Sequence, residues 1–393
     1  NIFLNLFDLD LKLLSDKKIN IETDNNFKFE INNNKIENYL VNSEINLDKL
    51  ELNKEIQDLL YLKNIKTEIT FRDKLLSLDL KSNYSLIDKN FDNESENNII
   101  NLKLDKKDSK FSVVEIFVRS DNNSINTKEL KKYLKIQEQD NLIVDQIVNI
   151  NSNFTINALI DDKFNIKNFA IKSDLNFDNL NINYRSNLIK KYLTNFDNKI
   201  AIKNPQILFE YSNDIFNLQA DGKYLLKDKE DNFFIKYKGS ENNFEIYSLL
   251  DFNDSELKIN EIQYFKKKKI PSKFEILLNK SKNSFNFEKI SYTENKNYIS
   301  VNDLHISDEF KVQSVDKIDI NFRNSKGIKN NFKIKKNSNN YQLDGNQIDG
   351  EKIIEKLLKS NNETKISNFF ENLNTSVILN LEKIYLEKDE YLK

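Results

Sequence analysis

Apolar residues recur at every second position over most of this chain, a period that only β-strands satisfy. From Val148 the even positions read Val148, Ile150, Ser152, Phe154, Ile156, Ala158 and Ile160, while Asn149, Asn151, Asn153, Thr155 and Asn157 hold the odd ones. Successive strand side chains point to opposite faces, so this segment has one apolar and one polar face. The pattern returns after each polar break. Phe169, Ile171, Leu175 and Phe177 share a face, as do Phe209 with Tyr211 and Phe216 with Leu218 and Ala220. Leu9/Leu11/Leu13, Phe27/Phe29/Ile31, Leu76/Leu78/Leu80, Phe310/Val312 and Ile318/Ile320/Phe322 extend it towards both ends.

The breaks are hairpin-sized and made of Asn, Asp, Lys and Ser, as in Asp24-Asn25-Asn26, Ser212-Asn213-Asp214, Asp161-Asp162-Lys163 and Glu241-Asn242-Asn243. Asn tolerates positive φ better than other non-Gly residues, so it replaces glycine in tight turns. The spacing predicts a mainly β protein with a few short helices: an elongated, twisted antiparallel sheet, a meander of many short strands, curled into an open apolar groove. Three segments leave period two. Thr127–Ile136 carries Leu130, Tyr133 and Leu134 at helical spacing behind a capping Thr. Gly350–Leu358 and Ile366–Leu373 each gather apolar residues on one helical side, Val377–Leu386 returns to strand, and Asp48–Leu62 is a weaker helical candidate.

Composition removes most chemistry. With 60 Lys+Arg against 62 Asp+Glu, the net charge of −2 argues against a nucleic-acid partner, which needs a basic excess. Absence of Cys excludes thiol nucleophiles and Cys-ligated metals. Five scattered glycines cannot write a phosphate loop, and His305 alone supports neither a His-rich metal site nor a Ser-His-Asp triad. No cofactor and no enzymatic activity is expected. Asn is roughly one residue in six, far above its usual share. Ile, Lys, Asn, Phe and Tyr come from AT-rich codons, so single Asn or Lys residues are read as carrying little functional information. The longest apolar cluster, Phe111–Val118, is interrupted by Ser112 and Glu115 and falls far below the ~18 residues a membrane helix needs. Lacking methionine altogether, the chain is expected to be an internal segment of a longer protein, with any anchor outside it.

The stretch from Leu343-Asp344-Gly345 through Ile348-Asp349-Gly350 to Leu357-Leu358, followed by Thr375-Ser376-Val377-Ile378-Leu379-Asn380-Leu381, resembles the AsmA-like family of Gram-negative envelopes, in its YhdP/TamB-like branch. In that family a strand ending in Gly leads through a short helix into another amphipathic strand. The resemblance covers about an eighth of the chain. It implies a β-groove segment over 1–342 and a strand-helix-helix-strand module over 343–393. It further implies a periplasmic, inner-membrane-anchored conduit that carries phospholipids towards the outer membrane, with other envelope proteins as partners.

On this reading the groove floor is formed by Phe154, Ile156, Ala158, Ile160, Phe169, Ile171, Leu175, Phe177, Phe209, Tyr211, Phe216, Leu218 and Ala220. The alternative is a structural or adhesive extracellular β protein whose apolar face closes on itself. For any single position, an ordinary core face explains the alternation as well. Lys266–Lys269 is either a contact for anionic headgroups or, more simply, a solvated hairpin tip. His305 reads as an ordinary strand residue, and Asp161/Asp162 as a chance pair among many acids.

Overall fold

The computed structural model of the chain describes residues 22–33, 35–50, 60–72, 75–87, 92–106, 111–127, 142–161, 165–194, 196–226, 230–338, 340–352, 354, 376–387 and 390–392. In chain order the first strands are β1 (Glu22–Asn32), β2 (Lys35–Leu50), β3 (Leu60–Arg72), β4 (Leu75–Leu86), β5 (Ile99–Lys106), β6 (Phe111–Asn126), β7 (Leu142–Asp161) and β8 (Ile166–Asn176). β9 (Asn179–Tyr184), the short helix α1 (Asn187–Tyr192) and β10 (Lys199–Ser212) follow. Then come β11 (Ile215–Leu225), β12 (Glu230–Ser240), β13 (Asn243–Asp251), the small hairpin of β14 (Leu257–Ile259) and β15 (Tyr264–Lys266), and β16 (Ser272–Ser281). The last are β17 (Ser284–Glu294), β18 (Asn297–Ser307), β19 (Val312–Arg323), β20 (Lys329–Asn337), β21 (Asn340–Asp349), β22 (Ser376–Tyr385) and β23 (Tyr391–Leu392).

The chain forms two compact units. The first gathers Asn1–Gln137, Val144–Leu180 and Gln206–Asn213; the second gathers Glu138–Ile143, Asn181–Pro205 and Asp214–Lys393. Within the first, β1 to β8 pair each with the next, all antiparallel, and β8 then pairs with the end of β10. Within the second, β11, β12, β13, β16, β17, β18, β19, β20 and β21 form another antiparallel meander. The mainly β, antiparallel expectation therefore holds. One pairing departs from it: β22 lies parallel to β21, because the chain between Asp349 and Ser376 is long enough for a crossover. The strands are also longer than the short ones expected, with β2 and β6 at 16 residues and β7 at 20.

Asparagine does take the role of glycine. Asn33, Asn213, Asn295 and Asn198 have positive φ between strands, and Asp214 beside Asn213 gives the turn two such residues in a row. Asn64, Asn122, Asn149 and Asn204 have positive φ inside strands, a second use that period-two reading passes over. At Asn64 and Asn122 the register shifts, so each opens a bulge that strengthens local twist. Gly345 serves a related bulge. A Cβ there would lie 2.4 Å from the Asn331 carbonyl oxygen, where the β20–β21 register shifts, so no larger residue fits unaltered.

Several expectations need correction. Asp24-Asn25-Asn26 is no turn but the middle of β1, where Asn25 accepts a bond from Ser43 (2.6 Å) on β2. Phe310 sits with φ +59 in the turn before β19 and is not in strand with Val312. Asp48–Leu50 ends β2 and Leu60–Leu62 begins β3, so the helix proposed over 48–62 is replaced at both ends by strand, the residues between lying outside the described ones. The helix expected from Gly350 begins as predicted, Ile354 N–H donating to the Gly350 carbonyl (2.8 Å), but its continuation lies outside the described residues. So do most of Thr127–Ile136, Ile366–Leu373, Leu9/Leu11/Leu13 and Asp162. The boundary drawn at 342/343 falls inside β21.

Candidate functional site

Strand register converts the period-two pattern into files of side chains running across the sheets. In the first unit, directly opposed residues form the file Ile45, Thr67, Leu80, Leu102, Ile116, Ile156, Ile171, Tyr211, one residue from each strand β2 to β8 and the last from β10. Beside it run Ile69, Leu78, Leu104, Val114, Ala158 and Phe169. Opposed residues on antiparallel strands share a face, so these two files form one apolar surface. Its members are only half-buried, apart from Thr67 and Val114. The other face carries Glu44, Glu68, Asp79, Lys103, Glu115 and Asn157 in one file. Water solvates that side, so no second layer is needed there.

The sequence-predicted floor residues divide between the units. Phe154, Ile156, Ala158 and Ile160 on β7 lie on the apolar face of the first unit with Phe169, Ile171 and Leu175 on β8 and Phe209 and Tyr211 on β10. All nine are half-buried, and the rings of Phe169 and Tyr211 meet at 6.1 Å. Phe177 lies beyond the end of β8 and is 4% exposed, so it is a core residue there. Phe216, Leu218 and Ala220 belong to β11 of the second unit, opposite Gly239, Tyr237 and Ile235. Ala220 is buried and the other two are half-buried.

The second unit repeats the architecture. Ala220, Ile235, Ser248, Ile276, Ile290, Val301, Ile318, Ile334, Leu343 and Leu379 form a file across ten strands. Two residues further along each strand run Phe233, Leu250, Phe274, Tyr292, Ile299, Ile320 and Phe332. The opposite face is a polar ladder through Glu275, Ser291, Ser300, Asp319, Lys333, Asp344 and Asn380. Lys289 reaches Glu275 (2.7 Å) and Lys333 reaches Asp319 (3.4 Å). The Asn380 amide bonds Asp344 (2.9 Å) and is the main reason that carboxyl is held below its ordinary range.

Here the units differ. Residues 252–271, between β13 and β16, form a strap over the Phe274–Phe332 file. Leu257, Ile259 and Ile262 pack against a buried cluster of Tyr264, Tyr292, Ile320, Phe322, Phe332, Leu343 and Ile348. The Tyr264 ring meets Phe322 edge-on at 5.1 Å and Tyr292 at 5.8 Å. Its hydroxyl donates to the buried carboxylate of Glu294, which also accepts from Tyr292 (3.3 Å). Burial raises the Glu294 carboxyl and both raises and dominates the shift of the Tyr292 phenol. Asp231 on β12 accepts the backbone N–H groups of Asn253 (3.0 Å) and Asp254 (3.4 Å). Burial raises its carboxyl too, those two bonds offsetting part of the rise.

Lys266 corrects the sequence reading most sharply. It is fully buried, not a solvated tip, and its ammonium donates to the carbonyls of Asn253 (3.1 Å), Ser255 (2.7 Å) and Lys267 (3.3 Å). Burial lowers its pKa, opposed by the charges of Asp231, Asp254 and Glu256. Lys267, Lys268 and Lys269 are exposed as expected. The strap is further tied by the Ser325 N–H to the Gln263 carbonyl (3.0 Å) and by Thr194 to Glu256 (2.9 Å). The sequence hints at this cover only through Ile270-Pro271 and the interrupted alternation between Asp251 and Ser272. His305 is a strand residue of β18 opposite Ser314, and Asp161 accepts from Asn165 (2.8 Å) at a turn.

Among the described residues no group of three or more His, Cys, Asp or Glu is placed to hold a metal, and no helix is long and apolar enough to cross a bilayer. Comparison with protein-family models, curated proteins and solved structures returns no match.

Proposed function

We propose that this chain is a lipid-binding segment whose half-exposed apolar face forms the floor of an open groove for phospholipid acyl chains, with no bond-breaking chemistry. The observation that carries the reading is the file from Ile45 to Tyr211, an apolar track one residue wide per strand with most of its members still partly exposed. Strands lie about 4.8 Å apart and same-face neighbours along a strand about 6.7 Å, so a file offers aliphatic contact at every strand it crosses. Each methylene withdrawn from water gains about 0.8 kcal/mol. A track of interchangeable Ile and Leu gives wells of similar depth, which lets a chain shift from strand to strand without one deep trap. The polar opposite face keeps the sheet wetted on its other side.

The resemblance of 343–381 to the AsmA-like family is the support for proposing a periplasmic, inner-membrane-attached setting for this activity, with envelope proteins as partners. Mass spectrometry of lipids co-purifying with the chain tests the reading, beside a variant carrying Ile156→Asp and Ile171→Asp. Phospholipid at reproducible stoichiometry in the parent and its loss from the folded variant supports it. A lipid-free parent sinks it and favours the structural or adhesive alternative, which the strap-covered core of the second unit would suit.

A further inference from the structure

The strap is already an occupant of an apolar sheet face, and its chemistry is informative. Leu257, Ile259 and Ile262 lay a narrow aliphatic ridge across the Phe274–Phe332 file, the form an acyl chain would present. The ridge is held by polar latches at its margins. Asp231 grips the entry through the Asn253 and Asp254 N–H groups, Glu294 grips Tyr264, and the Ser325 N–H grips the far turn at Gln263. Lys266 locks the loop onto itself through three carbonyls. Removing a partner from such buried charged groups leaves the other uncompensated, so the latches resist opening. One file away, Ile235, Ile276, Ile290 and Val301 are half-buried and lie outside the cluster that the strap joins, whereas Ile318, Ile334 and Leu343 of the same file pack with it.

We infer that the strap 252–271 is a built-in stop: it fills the Phe274–Phe332 file of the second unit and confines bound acyl chains to the files beside it. This rests on the proposed lipid-binding reading, and the two can fail separately. The chain has no tryptophan, so single Phe→Trp variants report contact without background. Phe287→Trp places the probe on the open part of the face, opposite Leu278 and Leu304, and Phe332→Trp places it in the covered file. Each variant is mixed with vesicles of phosphatidylcholine brominated along its acyl chains, which quench on contact.

The expected result is loss of most emission from Phe287→Trp and none from Phe332→Trp. Adding Asp231→Ala and Tyr264→Ala to the latter should make it quenchable. Equal quenching at both positions with the latches intact overturns the stop while leaving lipid binding standing. Quenching at neither position means that no acyl chain reaches the face of the second unit, which overturns the stop and leaves the lipid-binding reading to the co-purification test on the first unit. If the latch variant stays folded by circular dichroism but remains unquenched, the strap is not what excludes lipid and the inference falls. If that variant does not fold, the contrast between Phe287→Trp and Phe332→Trp in the intact protein still decides.

Discussion

The two apolar faces are written in the same alternating code yet meet water differently. Across the first unit, Leu80, Leu102, Ile116, Ile156 and Ile171 are half-buried. Across the second, Tyr292, Ile320, Phe322 and Phe332 are sealed by a strap that brings its own aliphatic ridge. The first unit spends its buried polar groups elsewhere. Asn98 and Asn123, both fully buried, exchange reciprocal amide bonds (3.0 and 2.9 Å), while Asn93 bonds both the carbonyl and the N–H of Ser124 (3.0 and 2.7 Å). Amides tie strand ends together in one unit, and charged latches hold a cover in the other. A sheet face is thus open or closed according to a connecting segment, with the strand pattern unchanged.

The largest effect should come from the same substitution in both faces. Ile320→Asp puts a carboxylate under the strap and should cost about 4 kcal/mol or more, whereas Ile156→Asp, with access to water, should cost under about 1.5 kcal/mol. Urea midpoints followed by circular dichroism measure both, and equal shifts would break the comparison. Next, Lys266→Met orphans three carbonyls and should cost about 3 kcal/mol, while Lys267→Met, one residue on and exposed, should stay within about 0.5 kcal/mol. A solvated tip would make the two alike. In the first unit, Asn98→Ala should cost about 2 kcal/mol, since it strands the Asn123 amide in a buried place. Amide hydrogen exchange at Asp121, whose N–H bonds the Asn98 side chain at 2.8 Å, should rise with it.

The smallest effect is on pH. Glu294 and Asp231 are both raised by burial. Acids raised in the folded state bind more protons there than in the unfolded state. The stability they contribute is full below their ordinary values of 4.5 and 3.8, and it falls as pH rises from there through their folded values. Midpoints measured from pH 4 upward should show this decline in the parent and a flatter profile in Glu294→Gln with Asp231→Asn. A parallel decline in the variant would remove these two carboxyls as its source.

Much of this fold is legible because alternation is local. Each strand announces its apolar face, and Asn213-Asp214 or Asn295 announce their turns by tolerating positive φ. The files are less legible, since Ile116, Ile156 and Ile171 become neighbours only once register is set by turns and bulges such as those at Asn64 and Asn122. Treating asparagine as a codon effect hid Asn93, Asn98 and Asn123, which are buried and fully employed. Lys266 was invisible for a similar reason. A lysine beside three others reads as solvent-facing, and burial became possible only because the surrounding loop turns three carbonyls inward. Phe177 shares the period of its neighbours but passes the end of β8, where local pattern no longer reports the face.

The most direct test of open against covered faces uses the absence of cysteine. Ile156→Cys and Ile320→Cys, made singly, are exposed to a water-soluble maleimide under native conditions, with denatured protein as the reference rate. The account predicts labelling at position 156 about ten times faster or more than at position 320, where reaction must wait for the strap to open. Equal protection at both positions would mean the face of the first unit is sealed as well, and the groove reading would be contradicted.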